Sequence, residues 1–236
     1  MYNTVIFDLD DTLTDDFENC KQAFKIMIAS RNEEYKEENF LKFNRIDKKT
    51  WADRAKGILK TPYENNKDKM IEWLRASRII NYYDKENITY DEAVKLNEIY
   101  MNGMKDKIVS RPNVKSVMEY LHNKGYKIII ATNGPIIPLE EKIKKLEIYS
   151  LINLFFSAEE VGVMKPNIIY YNALFNKAEI DSKENVLIIG DGLDTDIKGG
   201  IEFGIDTCWC NYKNEINTEY NINYEIHELK ELIKIL

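Results

Sequence analysis

Val5-Ile6-Phe7-Asp8-Leu9-Asp10-Asp11-Thr12-Leu13 is the stretch that decides how this chain is read. A short apolar run, rich in β-branched residues, meets a carboxylate without transition, as a buried strand does where it ends. Asp8 and Asp10 stand two residues apart at that end, where propensity disfavours acids and where burying them unpaired is costly. A divalent cation is the expected neutraliser. A carboxylate held there can attack phosphorus while the metal screens the charge. An Asx-type turn would use the same residues without any chemistry, so the rest of the chain has to choose.

Further apolar runs at 128–131, 186–189 and, more weakly, 154–156 read as parallel strands buried on both faces, and 206–209 reads as another after Gly204. Helical stretches at 114–123, 138–146, 168–177 and 195–203 separate them. Lys124-Gly125 and Gly204 are good helix stops. Strand-helix alternation of this kind predicts an α/β fold, a doubly wound Rossmann-like parallel sheet with helices on both faces. Gly199, Gly200 and Gly204 are expected to serve helix packing and helix ending, and Asp194 to cap a helix.

The interval from Thr14 to Ser110 differs. It has no comparable strand and shows helical periodicity. Phe17, Cys20, Phe24, Met27 and Ile28 form one stripe. Met70, Trp73, Leu74 and Ile80 form a second, and Ala93, Leu96, Ile99, Tyr100 and Met104 a third. Phe40, Leu41, Trp51, Ala55 and Leu59 suggest further helix between them, with a break near Thr61-Pro62. The expected organisation is a core of residues 1–14 and 111–236 with an α-helical bundle, residues 15–110, inserted after the first strand. Its two connections lie near Thr14-Asp15 and Ser110-Arg111-Pro112.

The 236 residues carry a formal net charge of −7 and no basic stripe, which argues against a nucleic acid polymer or a membrane surface as partner. Lys142, Lys144 and Lys145 are interleaved with acids and read as a solvated helix face. No apolar run is long enough to span a bilayer, and the N-terminus enters a strand at once, so cytoplasm is the expected location. Cys20, Cys208 and Cys210 form no disulfide framework. Cys208-Trp209-Cys210 alternates along a strand-like run and reads as buried thiols rather than a zinc pair. His122 and His227 are isolated and read as helix-surface residues.

In open α/β sheets ligands sit beyond the carboxyl ends of the strands. Here those ends carry Asp8, then Thr132-Asn133-Gly134, then Gly190-Asp191-Gly192-Leu193-Asp194-Thr195-Asp196, with Lys165-Pro166 in the loop ahead of another helix. Together they supply a nucleophile, metal ligands, hydroxyl and amide donors and a cation, as phosphoryl transfer requires. These four groups, in this order, resemble the signatures of the haloacid dehalogenase superfamily, most of whose members are Mg²⁺-dependent phosphohydrolases. The helical insert resembles that superfamily's C1-type cap.

The resemblance implies that Asp8 attacks the phosphoryl group and forms an aspartyl-phosphate. Asp10 then protonates the leaving oxygen and later deprotonates water. Asp8, Asp191 and the backbone carbonyl of Asp10 hold Mg²⁺. Thr132 and the amides that follow it, Asn133 first, bind phosphate, Lys165 stabilises charge, and Asp196 orients Lys165 or a metal-bound water. Gly192 stands where many relatives have Ser, and Ile168 where Pro is frequent. Asp10 favours phosphate-ester hydrolysis over dehalogenation, because a halide leaving group needs no proton. The phrasing of the motifs is most similar to house-cleaning 5'-nucleotidases acting on pyrimidine and deoxynucleoside monophosphates. A phosphatase for a sugar phosphate or phosphoglycolate, or a binding protein that lost turnover, are the alternatives. In the insert, Trp51, Tyr63 and Trp73 could stack a base, with Arg54 or Arg45 as rim cations, although aromatics at helical spacing equally build a core.

Overall fold

The computed structural model describes residues 2–55, 57–106, 108–134 and 136–236, without the side chains of residues 55, 67 and 136–139. Ala55, placed in a stripe by its spacing, therefore lies outside the described side chains. The chain divides into two compact units, residues 1–16 with 108–236, and residues 17–107.

Among the described residues of the first unit, six strands form one parallel sheet: β1 (Thr4–Phe7), β2 (Lys127–Thr132), β3 (Leu154–Ser157), β4 (Val186–Gly190), β5 (Asp206–Cys210) and β6 (Tyr224–Ile226). Their spatial order is β3-β2-β1-β4-β5-β6. The chain first winds outward to β3, then returns to the far side of β1, so the direction reverses between β1 and β4. Such a switch point opens a crevice at the strands' carboxyl ends.

Side-chain alternation divides the apolar runs between two faces. Val5, Phe7, Ile128, Ile130, Leu187 and Ile189 pack with α5 (Val114–Asn123), α6 (Ile136–Lys145) and α9 (Leu232–Ile235), through Val117, Leu121, Ile143 and Leu232. Ile6, Ile129, Ala131 and Ile188 pack with α7 (Ile168–Lys177), through Tyr170, Tyr171 and Leu174, and with Phe203 of α8 (Lys198–Phe203). Both faces are covered, which is why the strands read as unbroken apolar runs. Cys208 and Cys210 are buried in β5.

The second unit holds most of α1 (Asp16–Ala29), with α2 (Glu37–Ala55), α3 (Lys67–Tyr82) and α4 (Tyr90–Asp106). Phe24, Met27, Phe40, Phe43, Ile79, Tyr82, Leu96 and Tyr100 form its core. Phe17, Leu41 and Trp51, stripe members by their spacing, are instead among the exposed large side chains. No helix among the described residues is long and apolar enough to cross a membrane.

The two connections run side by side within the first unit. Thr14 and Ser110 form an antiparallel bridge, the Asp15 N–H donates to Val109 O at 2.8 Å, and the Arg111 N–H donates to Leu13 O at 2.9 Å.

Candidate active site

β1 delivers Asp8 to the carboxyl edge of the sheet, and its N–H donates to Ile189 O of β4 at 2.9 Å. Lys165 reaches the same point from the loop ahead of α7. Its ammonium donates to Asp8 Oδ1 at 2.6 Å, Asp196 Oδ1 at 2.6 Å and Ala131 O at 2.7 Å, which uses all three N–H groups. Asp8, Lys165 and Asp196 are all buried. Burial alone would lower the lysine pKa, but Asp196 and Asp8 outweigh it and hold the ammonium well above its usual range. Asp8 is pushed well up, first by burial and then, against the pull of Lys165, by Asp196 and Asp191.

Asp191 follows β4 directly. Thr12 Oγ1 donates to Asp191 Oδ1 at 2.9 Å and accepts from the Asp191 N–H at 3.0 Å, which links the loops after β1 and β4. Burial and the charge of Asp11 push its carboxyl up to about 6. Oxygens of Asp8, Asp191 and Asp196 all lie within 4.8 Å of one another. One ammonium against three carboxylates leaves an excess of negative charge among hard oxygen donors, a set that could hold a divalent cation.

The segment after β4 is a π-turn, Leu193–Ile197, leading into α8. Asp194 does not cap it; its Oδ1 accepts from Tyr220 Oη at 2.8 Å. The turn folds Thr195 and Asp196 back over Gly192, whose N–H donates to Asp196 Oδ2 at 3.2 Å. A Cβ on Gly192 would fall 2.1 Å from Thr195 Oγ1. The Thr195 hydroxyl occupies that space and donates to Asp196 Oδ2 at 3.3 Å.

Thr132 ends β2, buried, with Oγ1 accepting from the Gly134 N–H at 3.0 Å, so its own proton is available to an oxyanion. The side chain of Asn133 is engaged with the backbone of Lys165, accepting from the N–H at 2.8 Å and donating to the carbonyl at 3.3 Å. It therefore fixes the lysine loop, and only its main-chain N–H could face a phosphate.

Lys142 departs from the solvated face that its neighbours on α6 imply. Lys144 and Lys145 are exposed, but the Lys142 side chain is 14% accessible. Its ammonium pairs with Asp10 Oδ1 and lies 3.4 Å from Asp16 Oδ1. Burial would lower its pKa; Asp10 and Asp16 reverse that and raise it. Arg111 makes a parallel tie, with Nη1 at 2.7 Å from Asp15 Oδ2 and Nη2 at 3.5 Å from Asp11 Oδ1. Each acid of the Asp10-Asp11 pair is thus joined through one cation to an acid of the Asp15-Asp16 pair. Charge alternation on α6 hides Lys142, because its partner lies 132 residues away. The one available signal is its placement on the helix that follows the Thr132 loop.

In the helical unit, Trp51 Nε1 donates to Asp47 Oδ1 at 3.0 Å, and Arg54 pairs with Glu64 at 2.8 Å. The Arg54 charge is therefore already matched inside its own unit. His122 is exposed on α5, whereas His227 lies after β6 rather than on a helix, with Nδ1 2.9 Å from Asn211 O.

The sequence pattern of the haloacid dehalogenase-like hydrolases matches residues 2–204. Pyrimidine 5'-nucleotidase YjjG of Escherichia coli is 26% identical over 239 aligned residues, covering 98% of each chain. Glyceraldehyde 3-phosphate phosphatase of Methanocaldococcus jannaschii is 28% identical, covering 100% of this chain and 97% of that one. The HAD-hydrolase YfnB of Bacillus subtilis, solved bound to magnesium in a crystal form that reveals interdomain movement, superposes with a TM-score of 0.84 at 25% identity. The match covers 99% of this chain and 98% of that one. A family pattern that runs from β1 through α8 embraces every residue gathered at the sheet's carboxyl edge, and the chain belongs to the haloacid dehalogenase-like hydrolases.

Proposed function

We propose that this HAD-family phosphatase is a Mg²⁺-dependent phosphomonoesterase that works through an aspartyl-phosphate on Asp8, with nucleoside 5'-monophosphates, pyrimidine and deoxy foremost, as substrates. The observation that carries the mechanism is the Lys165 ammonium, held at 2.6 Å from both Asp8 and Asp196 beside Asp191. It orients the nucleophile and offers positive charge where phosphoryl oxygens gather.

Asp8 and Asp191, with the Asp10 carbonyl, would hold the cation. When bound, it screens the charge between Asp8 and the phosphoryl oxygens. Asp8 Oδ attacks phosphorus as the bond to the leaving oxygen breaks, and Asp10 gives that oxygen a proton. Asp10 then takes a proton from water, which attacks the aspartyl-phosphate, releases inorganic phosphate and restores Asp8. The Thr132 hydroxyl and the Asn133 and Gly134 N–H groups bind phosphoryl oxygens. Asp196 acts through Lys165, because it touches that ammonium.

Residues 1–14 and 111–236 act as the catalytic core and 15–110 as the substrate-selecting cap. The nucleotide reading is supported by the near end-to-end likeness to a pyrimidine 5'-nucleotidase. A second reading, a small sugar or triose phosphate as substrate, is favoured by the equally complete likeness to glyceraldehyde 3-phosphate phosphatase.

The test is phosphate release from nucleoside monophosphates and sugar phosphates, with Mg²⁺ or EDTA, beside Asp8→Asn. Release that needs Mg²⁺, is led by pyrimidine or deoxynucleoside monophosphates and falls at least a thousandfold in the variant is the expected result. Release led by sugar phosphates moves the substrate and keeps the mechanism. Full activity in Asp8→Asn overturns the mechanism.

A further inference from the structure

Asp10 stands at the mouth of the site with its two carboxylate oxygens in different surroundings. Oδ1 meets Lys142 Nζ and lies 3.5 Å from Thr14 Oγ1. Oδ2 lies beside the Thr132 loop: a Cβ placed on Gly134 would lie 3.6 Å from it and 3.3 Å from Thr132 Oγ1. The oxygen that Lys142 leaves uncovered is therefore the one that adjoins the phosphate-binding loop.

Lys142 is well placed to impose that orientation. It belongs to α6, the helix that follows the Thr132-Asn133-Gly134 loop. Its own position is fixed by a second carboxylate, Asp16, and by partial burial, whereas Lys144 and Lys145 on the same helix are exposed. An exposed lysine samples many rotamers; one clamped between two carboxylates does not.

We propose that Lys142 is a positioning residue for the reaction, anchoring Asp10 by Oδ1 so that Oδ2 is aimed at the leaving oxygen and the attacking water. The inference rests on the reading of Asp10 as proton donor and acceptor. In aspartyl-phosphate formation the proton on Asp10 Oδ2 passes to the leaving oxygen as the phosphorus–oxygen bond breaks. In hydrolysis a water proton returns to Oδ2 as the water oxygen bonds to phosphorus and the bond from phosphorus to Asp8 Oδ breaks, freeing the carboxylate. Lys142 keeps its own protons throughout.

A leaving group that needs a proton should feel the loss of this anchor, and one that does not should feel it far less. The experiment compares Lys142→Met, Lys142→Arg and Asp10→Asn in the Mg²⁺-loaded enzyme. The substrates are the best nucleotide, a simple alkyl phosphate and p-nitrophenyl phosphate, whose leaving group departs without protonation. The quantity read is kcat/KM, which covers aspartyl-phosphate formation and not its hydrolysis. The expected result in Lys142→Met is at least a tenfold fall in the ratio of kcat/KM on either alkyl ester to that on the aryl ester. That ratio should fall at least as far in Asp10→Asn and return to within threefold in Lys142→Arg. Should the Met variant prove insoluble, Lys142→Gln gives the same ratio.

A ratio unchanged in Lys142→Met while it falls in Asp10→Asn would make Lys142 structural and overturn the proposal. A fall confined to the nucleotide would make it a substrate contact and overturn the proposal as well. A ratio unchanged in Asp10→Asn would remove the acid itself, and the proposal with it.

Discussion

At the residue scale, Asp191 shows what the site demands of the fold. Its carboxyl titrates near 6 in the folded chain because burial and Asp11 oppose its charge, against 3.8 as its ordinary value. Between those values the folded chain keeps a proton that the unfolded chain has released. Stability therefore falls as pH rises through the window and stays lowered above it, by an amount on the order of 2–3 kcal/mol for a shift of about two units. Asp191→Asn should relieve that cost. The metal-free variant should melt several degrees above the wild type at pH 7.5, and the difference should close toward pH 4. Mg²⁺ should then raise the melting temperature of the wild type and not of the variant. Thermal melts across pH with EDTA or Mg²⁺ would check this, and a variant that melts lower than the wild type at pH 7.5 would contradict it.

At the scale of elements, α8 has to lie close on the sheet to carry Asp196 under Lys165. A Cβ on Gly200 would come within 2.7 Å of both Ile188 Cγ2 on β4 and Thr207 Cγ2 on β5. Gly200→Ala should push the helix outward at about 1–3 kcal/mol, a drop of several degrees in melting temperature, with phosphatase activity falling as Asp196 shifts. A calorimetric melt unchanged within a degree would show that the neighbours yield freely. The close packing of this helix is legible from its glycines, as are the strands, because runs such as 128–131 and 186–189 are apolar on both faces. The weak run at 154–156 is legible too, since β3 is an edge strand with only Phe156 and Ser157 fully buried. The start of α8 is not, because Asp196, within the π-turn over Leu193–Ile197, answers the Lys165 ammonium from a loop 31 residues away, a tertiary demand without a local signature. Lys142 escapes a sequence reading for a related reason: helix periodicity describes which face a residue takes, and says nothing of a loop that folds over that face from 132 positions away. Trp51 and Arg54 show the reverse limit, since spacing cannot reveal that Asp47 and Glu64 already engage them.

For the whole molecule, each unit has its own apolar cluster, and tryptophans report on both. Trp209 lies in the sheet, with Nε1 donating to Asp191 O at 3.0 Å, while Trp51 and Trp73 lie in the helical unit. A cation bound at Asp8 and Asp191 stabilises whatever must be folded for it to bind. In a Trp51→Phe/Trp73→Phe variant, the fluorescence melt of Trp209 should move upward with Mg²⁺. In Trp209→Phe, the signal from the helical unit should move less. Equal shifts would mean that the two units unfold as one cooperative block.

The side-by-side connections at Thr14–Ser110 also bear on how the protein is made. β1 leaves the ribosome ahead of the rest of this sheet, and both of its neighbours, β2 and β4, are synthesised more than a hundred residues later. Until then its apolar side chains have no partner in the sheet. The helical segment is completed in that interval, and its short-range contacts form quickly. Once it has folded, Asp15 and Val109 are drawn toward one another, and a long wandering loop is replaced by a short one. The insertion thus hands the nascent chain a nearly closed hairpin in which β1 waits beside the place where β2 will emerge.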